Sequence, residues 1–183
     1  MDIPTVNWRE FNDSTVLSEN ILWTVRVAVI RGDDLNLPRA VGVSADNAIN
    51  FANKVKSELR DNAIIIYYPY FIAEKSGTLQ ISSSGYIIEA VDKDLWNLVT
   101  NNNCDISYAN EDGIIEIVGN KDFLVPRELE ELSATEKRIR GKFRNFLLEG
   151  KTLLLEWSYA VDSDINKQKT GNPYLIFYEC RTV

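Results

Sequence analysis

Leu153-Leu154-Leu155-Glu156-Trp157-Ser158-Tyr159-Ala160 and Tyr174-Leu175-Ile176-Phe177-Tyr178-Glu179-Cys180-Arg181 are two apolar, strand-like runs, each with a carboxylate among its hydrophobic residues. Side chains on a strand alternate between faces, so Leu154, Glu156 and Ser158 share one face of the first run. Leu175, Phe177, Glu179 and Arg181 share one face of the second. The connection from Val161 to Asn172 is rich in Asp, Asn, Lys and Gly, the composition of an exposed turn. A nearly symmetric hairpin then sets Glu156 directly across from Glu179. Two bare carboxylates in that position repel, and a Mg²⁺ ion, or Arg181 with a bound anion, would turn the repulsion into a site. The other reading is two ordinary glutamates on a solvated sheet face.

Upstream, helices and further strands alternate. Ile21 to Ile30 is a β-branched run with one charge, Arg26, which reads either as a phosphate contact or as half of a cross-strand ion pair. Arg31 to Arg39 reads as a loop. Ser44 is an N-cap for a helix to about Leu59, with Ala48, Ile49, Ala52, Val55 and Leu59 on its apolar stripe. Ala63 to Tyr68 is a buried strand that Pro69 interrupts. Lys75 with Ser76-Gly77-Thr78 reads as a plain turn, the alternative being a phosphate loop. Thr78–Ser82 and Tyr86–Val91 form a hairpin around Ser83-Ser84-Gly85. Lys93 to Val99 reads as a short helix. Asp105–Ala109 and Ile114–Val118 flank a turn at Asn110-Glu111-Asp112-Gly113. Ser133 with Glu136 makes a capping box that opens a helix stopped at Gly150. The fold class is α+β, a largely antiparallel sheet with packed helices.

The chain has 183 residues, enough for one domain with a substantial core, as a single body or as two lobes at about 1–68 and 69–183. Its 27 acidic against 20 basic residues give a net charge of −7, which disfavours nucleic acid and anionic membranes as partners. The basic run Lys137 to Arg144 reads as a solvated helix face. Cys104 and Cys180 are the only cysteines and lie in no metal-spaced cluster. The sequence has no histidine, so His-based acid–base chemistry, Ser-His-Asp or Cys-His triads and a phosphohistidine on this chain are excluded. With no secretory segment and no long apolar run, the expected location is the cytoplasm.

The order of motifs resembles the ATP-binding, ATP-grasp-like domain of phosphoenolpyruvate synthase and pyruvate phosphate dikinase. Val25-Arg26-Val27-Ala28 is similar to that family's V-R-S strand. Ile64 to Tyr70 followed by Ser76-Gly77-Thr78 is similar to its hinge strand and S-G-[TV]. Gly85-Tyr86-Ile87-Ile88-Glu89 resembles its G-x-x-G-E strand, and Leu155-Glu156-Trp157 with Tyr178-Glu179-Cys180-Arg181 resembles its closing I-E-[WF] and Q-x-R motifs. The resemblance implies ATP and Mg²⁺ as cofactors, Glu156 and Glu179 as metal ligands, and Arg26, Glu89 and Arg181 as nucleotide contacts. It also implies a phosphotransferase component working with a separate phosphohistidine-bearing chain. The family's upstream glycine-rich segment and lysine have no counterpart here, since no glycine precedes Arg26. Val27 stands where the family has serine, and Tyr67-Tyr68-Pro69 replaces its Q-x-M hinge. A complete phosphoenolpyruvate synthase reaction by this chain alone is excluded. The alternative is a non-catalytic relative acting as a binding or assembly module, and a homodimer formed through an exposed strand edge is a further expectation.

Overall fold

The computed structural model describes residues 3–29, 37–58, 63–95 and 104–183, which form two compact units. One comprises Val6–Ile72 and Val161–Asn172; the other comprises Met1–Thr5, Ala73–Ala160 and Pro173–Val183. A single cut near residue 68 does not anticipate this arrangement, because each unit draws on separated stretches of chain. The architecture is α+β, and the strand pairs whose direction is defined are antiparallel.

In the first unit, strands β1 (Arg9–Glu10), β2 (Trp23–Val29), β3 (Arg39–Val43) and β4 (Ala63–Pro69) form a sheet of order β1-β4-β2-β3. The β-branched residues of β2 suit its central place, and Val25 and Val27 are buried against Ile65. Helix α1 (Ala45–Lys56) starts where the sequence predicts, with Ser44 Oγ accepting from Asn47 N–H at 3.4 Å. Asp46 in its first turn and Lys54 and Lys56 in its last complement the helix dipole. Ala45, Ala48, Ala52 and Val55 form the buried stripe that joins α1 to the sheet core. Residues 31–36 of the expected loop lie outside the described residues, as do Leu59 and Asn62. Arg39 itself begins β3.

The second sheet runs β10-β9-β5-β6-β7-β8, from β5 (Phe71–Ile81), β6 (Gly85–Asp92), β7 (Ile106–Glu111), β8 (Ile114–Gly119), β9 (Leu153–Ser163) and β10 (Lys169–Thr182). Strands β5 to β8 meander, and helices α2 (Pro126–Lys142) and α3 (Arg144–Leu148) carry the chain back to place β9 beside β5. Leu79, Ile81, Ile88, Leu132, Ile139 and Trp157 are fully buried in the core between sheet and helix. The N-terminal segment touches the β10 edge, where Phe177 N–H donates to Pro4 O at 2.8 Å. Residues 96–103 lie outside the described residues, and with them most of the helix expected at Lys93–Val99.

Three local expectations are corrected. Ser76-Gly77-Thr78 is the interior of a central strand, not a turn. Helix α2 opens at Pro126, not at Ser133. Proline is preorganised for the first helical position, and Glu128 Oε2 accepts from Val125 N–H at 3.0 Å, closing the helix end a full two turns early. Ser133 instead sits inside the helix, its hydroxyl 3.2 Å from Tyr86 Oη. Lys75, the residue of the alternative phosphate loop, is committed to α2, with Nζ donating to Glu128 Oε2 at 2.6 Å and to Phe123 O at 2.8 Å.

Tyr159 also locks β9 to α2, its hydroxyl donating to Glu128 O at 2.8 Å and Glu131 Oε2 at 3.1 Å. Burial first, and then the Glu131 carboxylate, push its phenol far above the ordinary value. The unfolded phenol gives up its proton near pH 10 while the folded one keeps it. The stability this provides is whole below about pH 10 and is lost as pH rises beyond it. Tyr159→Phe is expected to cost about 1 kcal/mol at neutral pH and to flatten the alkaline loss. Urea midpoints from pH 8 to pH 11 check this; parallel profiles for the two proteins would refute it.

Candidate functional site

The face of the six-stranded sheet opposite α2 is polar at its centre, and strand period explains why. Gly77 on β5 and Trp157 on β9 point into the helix-side core, where a Cβ on Gly77 would lie 2.4 Å from Trp157 Cζ2. Their neighbours Ser76, Thr78 and Ser158 therefore point to the other face. Ser76 Oγ and Ser158 Oγ are 2.8 Å apart, and both residues are buried. Thr78 Oγ1 donates to Glu89 Oε2 at 3.2 Å, across the β5–β6 register that pairs Thr78 with Glu89. Glu156 lies two residues from Ser158 on β9 and so shares this face, half-buried. Glu89 and Glu156 thus flank the hydroxyls of β5 on the same side of the sheet, on the strands to either side of it.

Glu179 lies on β10, the strand beside β9 in the sheet. Ser158 Oγ and Tyr178 Oη approach to 3.5 Å, so Tyr178 lies on the Ser158 face, while Phe177 packs in the core with Trp157. The register at the two ends of the β9–β10 pair differs by three residues, and that of the open end is the one that opposes Glu156 to Glu179. Asp164 N–H donates to Gln168 O at the tip and Val183 N–H to Thr152 O at the open end. Between these ends β9 has 11 residues and β10 has 14. The extra residues must be taken up as irregularities, each able to exchange the faces, and Gly171 at φ +81° adopts a conformation suited to one.

Arg181 stays near Glu179, Nη1 to Oε1 3.7 Å, with the arginine 40% exposed. Burial, and secondarily the Glu179 charge, raise the Cys180 thiol. Burial likewise leads in raising Cys104, whose Sγ donates to Ile106 O at 2.7 Å, so neither cysteine is an activated nucleophile. Arg26 occupies β2 of the other unit, with Ile66 and Arg39 as its partners in register. Of the aromatic cluster, Tyr67 packs edge-on against Trp23 and Tyr68 stacks on Phe71, the packing use expected of them.

The basic run supplies a different feature. Lys137, Arg138, Lys142 and Arg144 are exposed, but Arg140 turns inward. Its Nε donates to the buried Glu136, and its Nη1 and Nη2 donate to Ser82 O and Gly85 O at 2.8 and 2.9 Å. A depression of about 400 Å³ lined by Ser83, Lys137, Arg140, Gly141 and Arg144 lies here, and none of the candidate carboxylates borders it.

Among the described residues no three carboxylates or cysteines converge as a metal cluster, and no helix is long and apolar enough to cross a membrane. Reading Ser76-Gly77-Thr78 as a turn concealed two hydroxyls of the polar face. The alternation Lys75, Gly77, Leu79, Ile81 against Ser76, Thr78, Gln80 was the signal for it. No protein-family model matches the sequence, and no curated protein matches it.

Proposed function

We propose that this chain binds ATP with Mg²⁺, as the nucleotide-binding component of a phosphotransferase whose phosphoryl acceptor resides on another chain. The observation that carries the reading is the shared sheet face of Glu89 and Glu156 beside Thr78, Ser76 and Ser158. Its donors are all oxygens, the set Mg²⁺ prefers, and that ion takes one or two carboxylates with the rest from phosphate and water. Glu156 and Glu89 would hold the metal, and Mg²⁺ would neutralise phosphate charge when bound. Arg181 is the arginine of the same unit that the resemblance offers to phosphate, able to present a bidentate fork. The resemblance offers Glu179 to the metal as a further carboxylate.

Calorimetric titration with MgATP tests it. Glu156→Gln and Glu89→Gln are each expected to weaken binding about tenfold or more. No heat at millimolar nucleotide, or wild-type affinity in both variants, would sink the proposal.

A second reading, a non-catalytic binding or assembly module, is favoured by one specific observation. Ser76 and Ser158 are almost fully buried and satisfy each other, as structural hydroxyls do. The same titration separates the two, since the module gives no MgATP heat.

A further inference from the structure

Strand β8 is an outer strand of the six-stranded sheet, and all of its residues are exposed. Ile114 is 74% exposed, Ile115 56%, Ile117 46% and Val118 60%, so large apolar side chains stand in solvent on both faces. The opposite edge, β10, is partly covered by Pro4 and Thr5. The β7–β8 turn fixes which backbone groups of β8 are free. Asp112 at φ 50° and Gly113 at φ 83° make a two-residue loop joining the paired residues Glu111 and Ile114. Glu111–Ile114, Ala109–Glu116 and Ser107–Val118 are then the pairs that exchange hydrogen bonds. Asn120 N–H donating to Asp105 O at 2.8 Å continues the same phase. The N–H and C=O groups of Ile115 and Ile117 therefore point away from β7, to the open edge.

We propose that β8 pairs antiparallel with β8 of a second copy of this chain, about a two-fold axis normal to the sheet. The strand is complementary to itself under that operation. Ile115 of each copy exchanges hydrogen bonds with Ile117 of the other, using the backbone groups that the fold leaves directed outward. On one face Ile115 meets Ile117, and on the other Ile114 meets Val118. A two-fold axis normal to the sheet keeps every side chain on its own face, so one residue must oppose its own copy; at full overlap that residue is Glu116. Two glutamates directly across a ladder repel. Glu116 thus acts as a gatekeeper that keeps the pairing reversible and holds in check an edge otherwise suited to aggregation. The contact is isologous, closes on itself and extends the sheet across two chains. It rests on neither functional reading given above.

Sedimentation equilibrium of the intact chain from micromolar to millimolar concentration tests the proposal. The wild type is expected to pass from monomer to dimer, and Glu116→Gln to tighten the association about fivefold. Ile117→Pro removes an N–H directed only at the open edge, and is expected to abolish the dimer. Ile115→Lys, a change at an exposed side chain, is expected to do the same and decides the matter if the proline variant folds poorly. A monomer throughout for both wild type and Glu116→Gln overturns the proposal. So does a dimer that Ile115→Lys leaves intact, or assembly beyond the dimer.

Discussion

Gly77→Val lowers stability by about 3 kcal/mol or more. The backbone at Gly77 is ordinary extended strand, so conformational freedom is not the reason for the glycine. Space is the reason: a Cβ would lie 2.0 Å from Glu89 O and 2.4 Å from Trp157 Cζ2. The first is main chain of the neighbouring strand, and the second belongs to a fully buried ring. Neither can move aside without opening the β5–β6 ladder or displacing the indole from the core. Gly141 in α2 supplies the control, because a Cβ there meets nothing. Gly141→Ala is expected to stabilise by about 0.5 kcal/mol through helix propensity. Urea denaturation of the two variants decides the argument, and a Gly77→Val midpoint within error of wild type would refute it.

Arg140→Ala is expected to cost about 3 kcal/mol. Arg140 is a three-way clasp: its guanidinium joins Glu136, whose side chain is 4% exposed, to the carbonyls of the β5–β6 turn. Truncation strands the carboxylate in the interior and takes the guanidinium donor from Ser82 O, while Gly85 O still accepts from Ser82 N–H. The arginine itself is 32% exposed, which admits water and holds the loss at the lower end of the range for buried pairs. Lysine keeps the charge but lacks the fork, so Arg140→Lys recovers only part of the stability. Arg140→Ala combined with Glu136→Leu should be more stable than Arg140→Ala alone, because the stranded charge is gone. A double-mutant cycle with no coupling between the two positions would contradict this account.

Legibility in the sequence followed the range of the forces involved. The α1 start, the turn at Asp112-Gly113 and the two closing strands rest on short-range preferences, and each was readable from its own residues. The length of β5 was not, because Gly77 looks like a turn residue until Trp157, distant in sequence, is seen against it. The α2 start was misread because Ser133 and Glu136 satisfy a local capping pattern, while Pro126 and Glu128 satisfy one earlier in the chain. Of the candidate site, the faces of Glu156 and Ser158 followed from period two alone. The position of Glu179 relative to them did not. It depends on irregularities between strands of unequal length, which composition does not record.

The strand order has a consequence for how the chain is made. Strand β5 is flanked in the finished sheet by β6, which follows it at once, and by β9, which begins only at Leu153. On the ribosome, the β5–β8 meander emerges with one side of β5 bare, and Leu79 and Ile81 still lack Trp157 and Leu155. A strand that ends its life at the sheet's interior begins it as an unprotected border, for as long as α2 and α3 are being translated. Vectorial synthesis therefore leaves this border of β5 uncovered until β9 has emerged.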